Sequence, residues 1–153
     1  MRMTRRRLPH LEVKDATYFI TFHRRADVDT DLTAPIIAPL VVGALRFFDG
    51  ERYLLYDYTV MPNHVHVILK PLPEHPKGEL SAILQSLKGW TSHAINELIG
   101  RRGAFWQEES HERVINGWTE YRATARYIWY NPRAWGLVGA PEDWPWTGRG
   151  KGE

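Results

Sequence analysis

Hydrophobic and polar positions alternate with a two-residue period at Tyr18–Phe22, where aromatic, β-branched and apolar residues succeed one another and predict a strand. Arg52–Val60, dense in Tyr, Leu and Thr, predicts a second strand, and His64–Lys70 a third, joined to it by the turn Met61-Pro62-Asn63 as an antiparallel hairpin. The period changes to 3.6 residues between Glu79 and Ile99. There Leu80, Ile83, Leu84, Leu87, Ala94, Ile95 and Leu98 form one stripe, Gly89 interrupts good helix formers, and Gly100 stands just past the end. A helix capped by Asp31 or Thr33 runs through Val41, Val42, Leu45 and Phe48 to the Asp49-Gly50 turn, with Pro35 and Pro39 confining its regular part to the C-terminal portion. Arg113–Ile115 predicts a short strand. Thr119–Asn131 predicts a last helix that Pro132 ends at Asn131, because proline disfavours helical geometry in the residue before it. The resulting order βαββαβα is that of an α+β protein: a small antiparallel sheet with helices packed on one face. Residues 1–147 read as one domain, and the Gly-rich, charged stretch 148–153 as a disordered tail.

Composition narrows the setting. The 153 residues contain no cysteine, which excludes disulfides and thiolate metal sites and suits a reducing cytoplasm. No apolar run reaches membrane-spanning length, and basic Met1–Arg7 is not followed by a hydrophobic stretch of signal-peptide length, so no membrane partner is expected. Net charge is only +2, yet the arginines cluster at Arg2 and Arg5–Arg7, at Arg24-Arg25 and at Arg101-Arg102. Such clusters suit a phosphate backbone, and an exposed member of the seven tryptophans beside them suits unpaired bases. Each pair taken alone equally fits a solvated loop.

The chemistry concentrates in Met61-Pro62-Asn63-His64-Val65-His66-Val67-Ile68-Leu69. Alternate residues of a strand share a face, so His64 and His66 project side by side while Val65 and Val67 enter the opposite layer. Two parallel imidazoles on a rigid strand make half a metal site; the plainer reading is a half-buried strand that happens to carry two histidines. His10, His23, His75 and His93 show no such pairing.

Together with Tyr127-Ile128-x-x-Asn131-Pro132-Arg133-Ala134-x-Gly136-Leu137-Val138, that strand resembles the REP-associated tyrosine transposases, of the single-tyrosine HUH (His, hydrophobic, His) or IS200-like superfamily. The resemblance extends to Arg6-Arg7-Leu8-Pro9-His10, Ala16–Phe22, Phe105-Trp106-Gln107, Arg113-Val114-Ile115 and Pro141–Trp146, in the same order along nearly the whole chain. It implies a ferredoxin-like HUH endonuclease fold with the histidines on a central strand and a tyrosine on a neighbouring helix. It also implies a single-stranded DNA substrate, a hairpin of a repetitive extragenic palindrome, cut and rejoined through a covalent phosphotyrosine with Mg²⁺ or Mn²⁺ as cofactor.

Carried over residue by residue, the pattern puts the nucleophile on Tyr127, with Tyr130 and Tyr121 as rivals on the same helix. Asn131, four residues on and on the same helical face, is either a third ligand beside His64 and His66 or a helix C-cap. Arg5, Arg6, Arg7, Arg24, Arg25 and Lys88 are candidate DNA contacts. Asn63 orients His64 or only makes the turn. Glu108, Glu109, His111 and Glu112 lie where the family often has an acidic residue, which supports the metal from behind or belongs to a solvated loop. Three other functions compete: a domesticated hairpin-binding protein with little or no transposition, another HUH enzyme such as a relaxase, and a metal-dependent hydrolase without a covalent step. The sequence leaves monomer and homodimer both open.

Overall fold

The alternation at Tyr18–Phe22 is realised in strand β2 (Thr17–His23), whose even-numbered residues Tyr18, Ile20 and Phe22 are buried while the odd ones are half-buried. The computed structural model describes residues 3–5, 15–75 and 78–152, with residues 3–5 as backbone alone. The remaining strands are β1 (Met3–Arg5), β3 (Tyr53–Val60), β4 (His64–Pro71), β5 (His111–Ile115) and β6 (Thr147–Arg149). They form one sheet in the order β1-β5-β2-β4-β3-β6, and every neighbouring pair is antiparallel. β4 lies at its centre, hydrogen-bonded to β2 and β3, and its first six residues are buried.

The pleat of β4 sorts the helices. Val65, Val67 and Leu69, with Tyr18, Ile20 and Phe22, face a large core closed by α1 (Ala38–Phe47) and α2 (Leu80–Ile99). Side chains such as Leu45 and Ile83 there each contribute roughly 1.5–3 kcal/mol by leaving water. Ile68 points the other way and joins Ile115 in a small cluster beneath Ala125 and Ile128 of α3 (Gly117–Ala134). The α+β fold with an antiparallel sheet is therefore as expected, but the helices divide between the two faces, and α3 shares its face with His64 and His66. No helix among the described residues is long and apolar enough to cross a membrane.

Three local expectations need correction. Pro132 does not end the last helix: α3 continues to Ala134, with the Trp135 and Leu137 amides donating to the Asn131 and Pro132 carbonyls. Proline removes one donor, leaving the Ile128 carbonyl without its usual partner, but the chain passes through the ring's fixed φ. Second, the stretch 148–153 is not a disordered tail as far as Gly152. Thr147–Arg149 pairs with β3 as β6, and the Gly150 and Gly152 amides donate to Tyr56 and Leu55 carbonyls at 2.9 and 2.8 Å. Its glycines permit this approach, since a β-carbon at Gly148 would lie 2.5 Å from the Tyr58 hydroxyl and one at Gly150 2.5 Å from Leu55. Third, Asp31 accepts from the Thr33 amide and hydroxyl in a turn ahead of α1, which starts only at Ala38 with Pro39 in its first turn. On α2 the stripe holds from Leu80 to Ile95, Gly100 closes the helix at φ 68°, and Leu98 is exposed.

Because the apolar cluster under α3 is small, its seat on the sheet is set by a polar anchor. Asp57, fully buried in the irregular stretch between Leu55 and Tyr58 of β3, accepts from the Tyr121 hydroxyl, from Trp129 Nε1 at 2.7 Å and from Arg149 Nε at 3.0 Å. Two of these donors stand eight residues apart on α3 and the third on β6, so one carboxylate fixes the helix in both rotation and position. Asp57→Ala removes the acceptor that the half-buried Tyr121 and Trp129 side chains share. We expect it to cost about 2–4 kcal/mol, read as a lower urea midpoint.

A second buried hydroxyl ties α1 to β3: Tyr53 donates to the Leu45 carbonyl at 2.6 Å, near the helix end where carbonyls lack intrahelical partners. Burial, and secondarily the charge of Asp49, raises this phenol above its ordinary value of 10.0. A group raised in the folded state stabilises fully below its unfolded value and loses that contribution as pH climbs past it. Tyr53→Phe is therefore expected to lower stability by about 1 kcal/mol near neutrality and to flatten the fall in stability above pH 10.0, measured by alkaline denaturation.

Candidate active site

The turn Met61-Pro62-Asn63 is held from outside, with the Arg24 and Leu32 amides donating to the Asn63 and Pro62 carbonyls at 3.0 and 2.9 Å. It delivers His64 and His66 onto the α3 face at the head of β4, both buried. Their Nε2 atoms approach to 3.1 Å, while their Nδ1 atoms point outward to separate partners. His64 Nδ1–H donates to Asn63 Oδ1 at 2.6 Å, which leaves the lone pair on Nε2. His66 Nδ1 meets the Thr21 hydroxyl at 2.8 Å, and a hydroxyl serves either tautomer. With Thr21 donating, His66 Nε2–H donates to His64; with Thr21 accepting, both Nε2 lone pairs face one point.

Burial, followed by the neighbouring His23, holds His64 at about 4, and burial, followed by His64 and His23, holds His66 at about 3. Both rings are thus neutral, the form that ligates metals. Asn131 reaches both imidazoles, opposing these shifts, yet its Oδ1 is buried with no hydrogen-bond partner. Two ring nitrogens and an amide oxygen converge with too few protons among them, and a divalent cation fits such an acceptor-rich set. Its three donors include only two of the usual histidine and acidic types; among the described residues no group of three His, Cys, Asp or Glu is placed to hold a metal.

Of the three tyrosines weighed on α3, Tyr127 is the one against the imidazoles. Its ring centre lies 5.4 Å from that of His66 and 6.1 Å from that of Phe19, and the side chain is half-exposed at 51%. Tyr121 is committed to Asp57, and Tyr130 carries the Arg126 guanidinium over its ring. Asn131 lies inside α3 because the helix runs through Pro132, so it does not serve as the C-cap, which falls at Trp135.

Sequence reading missed several neighbours of this site. His23 stacks on His64 with ring centres 5.0 Å apart, directly opposite it in the β2–β4 register; His111, one of the residues weighed as support for the metal, lies 6.2 Å beyond. Thr21 and Arg113 reach the site from β2 and β5. The Arg113 guanidinium lies 5.0 Å over the Phe19 ring, and its usual value is lowered by burial but held up in part by Glu120 and Tyr127. Trp135, half-exposed, comes within 5.4 Å of the His64 ring. Only period-two spacing from Phe19 to His23 hinted at a second donor row.

The expected DNA contacts fare unevenly. Arg24 donates to the Val28 and Arg25 carbonyls, Arg25 pairs with Asp27 at 3.0 Å, and Lys88 donates to the Gln107 and Glu108 carbonyls at 3.0 and 3.2 Å. All three are engaged with the chain's own loops. Arg5 falls in β1, in register with His111, and Arg6 and Arg7 lie outside the described residues. Glu112 pairs with Ile20 and is buried on the face away from His64, so it does not support the imidazoles.

Residues 46–131 match the model of the IS200-like transposase family, more than half of the chain. A solved structure of the REP-associated tyrosine transposase bound to a REP hairpin superposes with a TM-score of 0.74, covering 90% of this chain and 79% of that one at 23% identity. A transposase candidate from Deinococcus radiodurans R1 superposes with a TM-score of 0.51, covering 84% and 95% at 17% identity. No curated protein matches the sequence significantly. The two structures establish a shared fold, and the match across β3, β4, α2, β5 and most of α3 establishes the lineage: the chain belongs to the IS200-like transposase family.

Proposed function

We propose that this protein cleaves and rejoins single-stranded DNA at the foot of a hairpin, through a covalent bond to Tyr127. The observation that carries this reading is the placement of the half-exposed Tyr127 ring 5.4 Å from His66, beside the acceptor set of His64, His66 and Asn131. A phenol is a weak nucleophile near neutrality because it holds its proton to about pH 10. The Arg113 guanidinium borders the same Phe19 ring as Tyr127, and the buried imidazoles keep water away from one side of the phosphate. Tyr127 oxygen forms a bond to phosphorus, the bond from phosphorus to the leaving deoxyribose oxygen breaks, and that oxygen takes up the proton the phenol released. Attack by another DNA hydroxyl on the phosphotyrosine reverses these steps and restores a phosphodiester without an external energy source.

His64, His66 and Asn131 would hold Mg²⁺ or Mn²⁺, with imidazole favouring the latter. When bound, such an ion supplies Lewis-acid polarisation of the phosphate oxygens. The hairpin as substrate is supported by the fold neighbour, whose structure holds a REP hairpin. In this reading Arg5, in register with His111 at the sheet edge, contacts the hairpin, as do Arg6 and Arg7 outside the described residues, while Arg24, Arg25 and Lys88 act through the loops they brace. A domesticated hairpin-binding protein would need neither the tyrosine nor the acceptor set.

Incubation with a labelled REP-type hairpin and Mn²⁺, followed by denaturing mass spectrometry, is expected to give a DNA adduct on Tyr127. Tyr127→Phe should abolish the adduct while hairpin binding persists. An adduct on Tyr130, or cleavage surviving Tyr127→Phe, would reject the assignment. Thr21→Val removes the hydroxyl that anchors His66 Nδ1 and is expected to weaken Mn²⁺ binding by about 10–100-fold in calorimetry with the fold unchanged. Unaltered affinity would show that the imidazole pair is not the metal site.

A further inference from the structure

Opposite the Tyr127 side of α3 runs a groove of about 580 Å³ that the cleavage chemistry does not use. Its lining includes three arginines and four aromatic side chains, and no acidic residue. Three guanidinium groups lie over rings: Arg122 at 6.0 Å from Trp118, Arg126 at 5.1 Å from Tyr130, and Arg149 at 5.2 Å from Trp129. Trp118 is 67% exposed and Tyr130 42% exposed, an unusual outlay of aromatic surface in water. From Trp118 to Tyr130 the helix rises about 18 Å.

We propose that this groove is a second nucleic-acid site, which stacks unpaired bases on Trp118, Trp129 and Tyr130 and holds the strand's phosphates with Arg122 and Arg126. Cations set against partly exposed rings match a polynucleotide, which offers a phosphate and a π-face at every residue. An acidic peptide would use the guanidinium groups and leave the rings idle. A duplex hides its base faces, so the ligand is a single strand. The seat is rigid, because Trp129 and Arg149 are both fixed by the buried Asp57. A strand bound here lies on the far flank of the helix that carries Tyr127, where it would hold the unpaired flank of a substrate without entering the cleavage site.

The test uses a short oligothymidylate carrying 5-iodouracil, which has no hairpin and so reports on the groove whether or not Tyr127 cleaves anything. Irradiation of the full chain with this probe is expected to crosslink the α3 peptide at Trp118, Trp129 or Tyr130. The double variant Arg122→Glu/Arg126→Glu should bind the probe at least about tenfold more weakly at moderate salt. Trp118→Ala, a change at an exposed position, should also reduce affinity and crosslinking, by several-fold. Melting curves confirm that each variant is folded. Unchanged affinity in both variants, crosslinks confined to other peptides or absent, or displacement of the probe by polyglutamate at matched charge would overturn the proposal.

Discussion

The buried carboxylate of Asp57 decides where the terminal helix sits, and the rest of the site depends on it. Apolar contact between α3 and the sheet is confined to Ala125 and Ile128 against Ile68 and Ile115, with a few half-buried rings around them. Such contact is non-directional and tolerates sliding. Hydrogen bonds from Tyr121 and Trp129 to one carboxylate do not, because each has a preferred line of approach. A turn of α3 by one residue would swing Tyr127 about 100° away from the imidazoles. The same carboxylate holds Arg149 of β6, so the glycine-rich C-terminal edge and the tyrosine-bearing helix are indexed to one point.

At the head of β4 the fold accepts a local cost. His64 and His66 are stripped of water and kept neutral, and Asn131 Oδ1 is buried without a donor. An unsatisfied buried polar atom costs about 1–3 kcal/mol, so a packing arrangement selected for stability alone would not gather three acceptors. Violations of this kind are concentrated at functional sites. Here the surroundings over-determine them: Asn63 and Thr21 fix the outward nitrogens, and His23 stacks flat against His64. Continuation of α3 through Pro132 matters equally, since it keeps Asn131 within the helix and turned toward the sheet rather than released into a cap.

What could be read in advance follows from the range of the interactions concerned. The side-by-side projection of His64 and His66 is a two-residue property of a strand, and the shared face of Tyr127 and Asn131 a four-residue property of a helix; both are visible in any one-dimensional pattern. Thr21, His23 and Arg113 belong to the site only because β2 and β5 pair with β4 in one register, information spread over 45 residues between Thr21 and His66 alone. Asp57 reads as an ordinary polar residue in a strand until the shift between Leu55 and Tyr58 turns it inward. The stretch after Thr147 has the composition of a free tail, yet its glycines allow a backbone to lie against Tyr58 and Leu55, a requirement of shape rather than of pattern. Likewise, nothing in one period assigns α3 to the face opposite α1 and α2; that follows from which way Ile68 points.

Exposure divides the proposed chemistry between the two sides of the same helix edge. The imidazoles are almost dry, which strengthens any interaction between them and a charged group. Tyr127 is half-exposed, which the proposed attack on a bulky phosphate requires. In the proposed reaction a substrate phosphate would enter between Tyr127 and the exposed Trp135 that lies against His64. A strand entering there could run on over α3. Over α3 it would meet the arginines and aromatic rings of the groove, so the helix that carries the proposed nucleophile also carries the surface proposed to hold unpaired DNA.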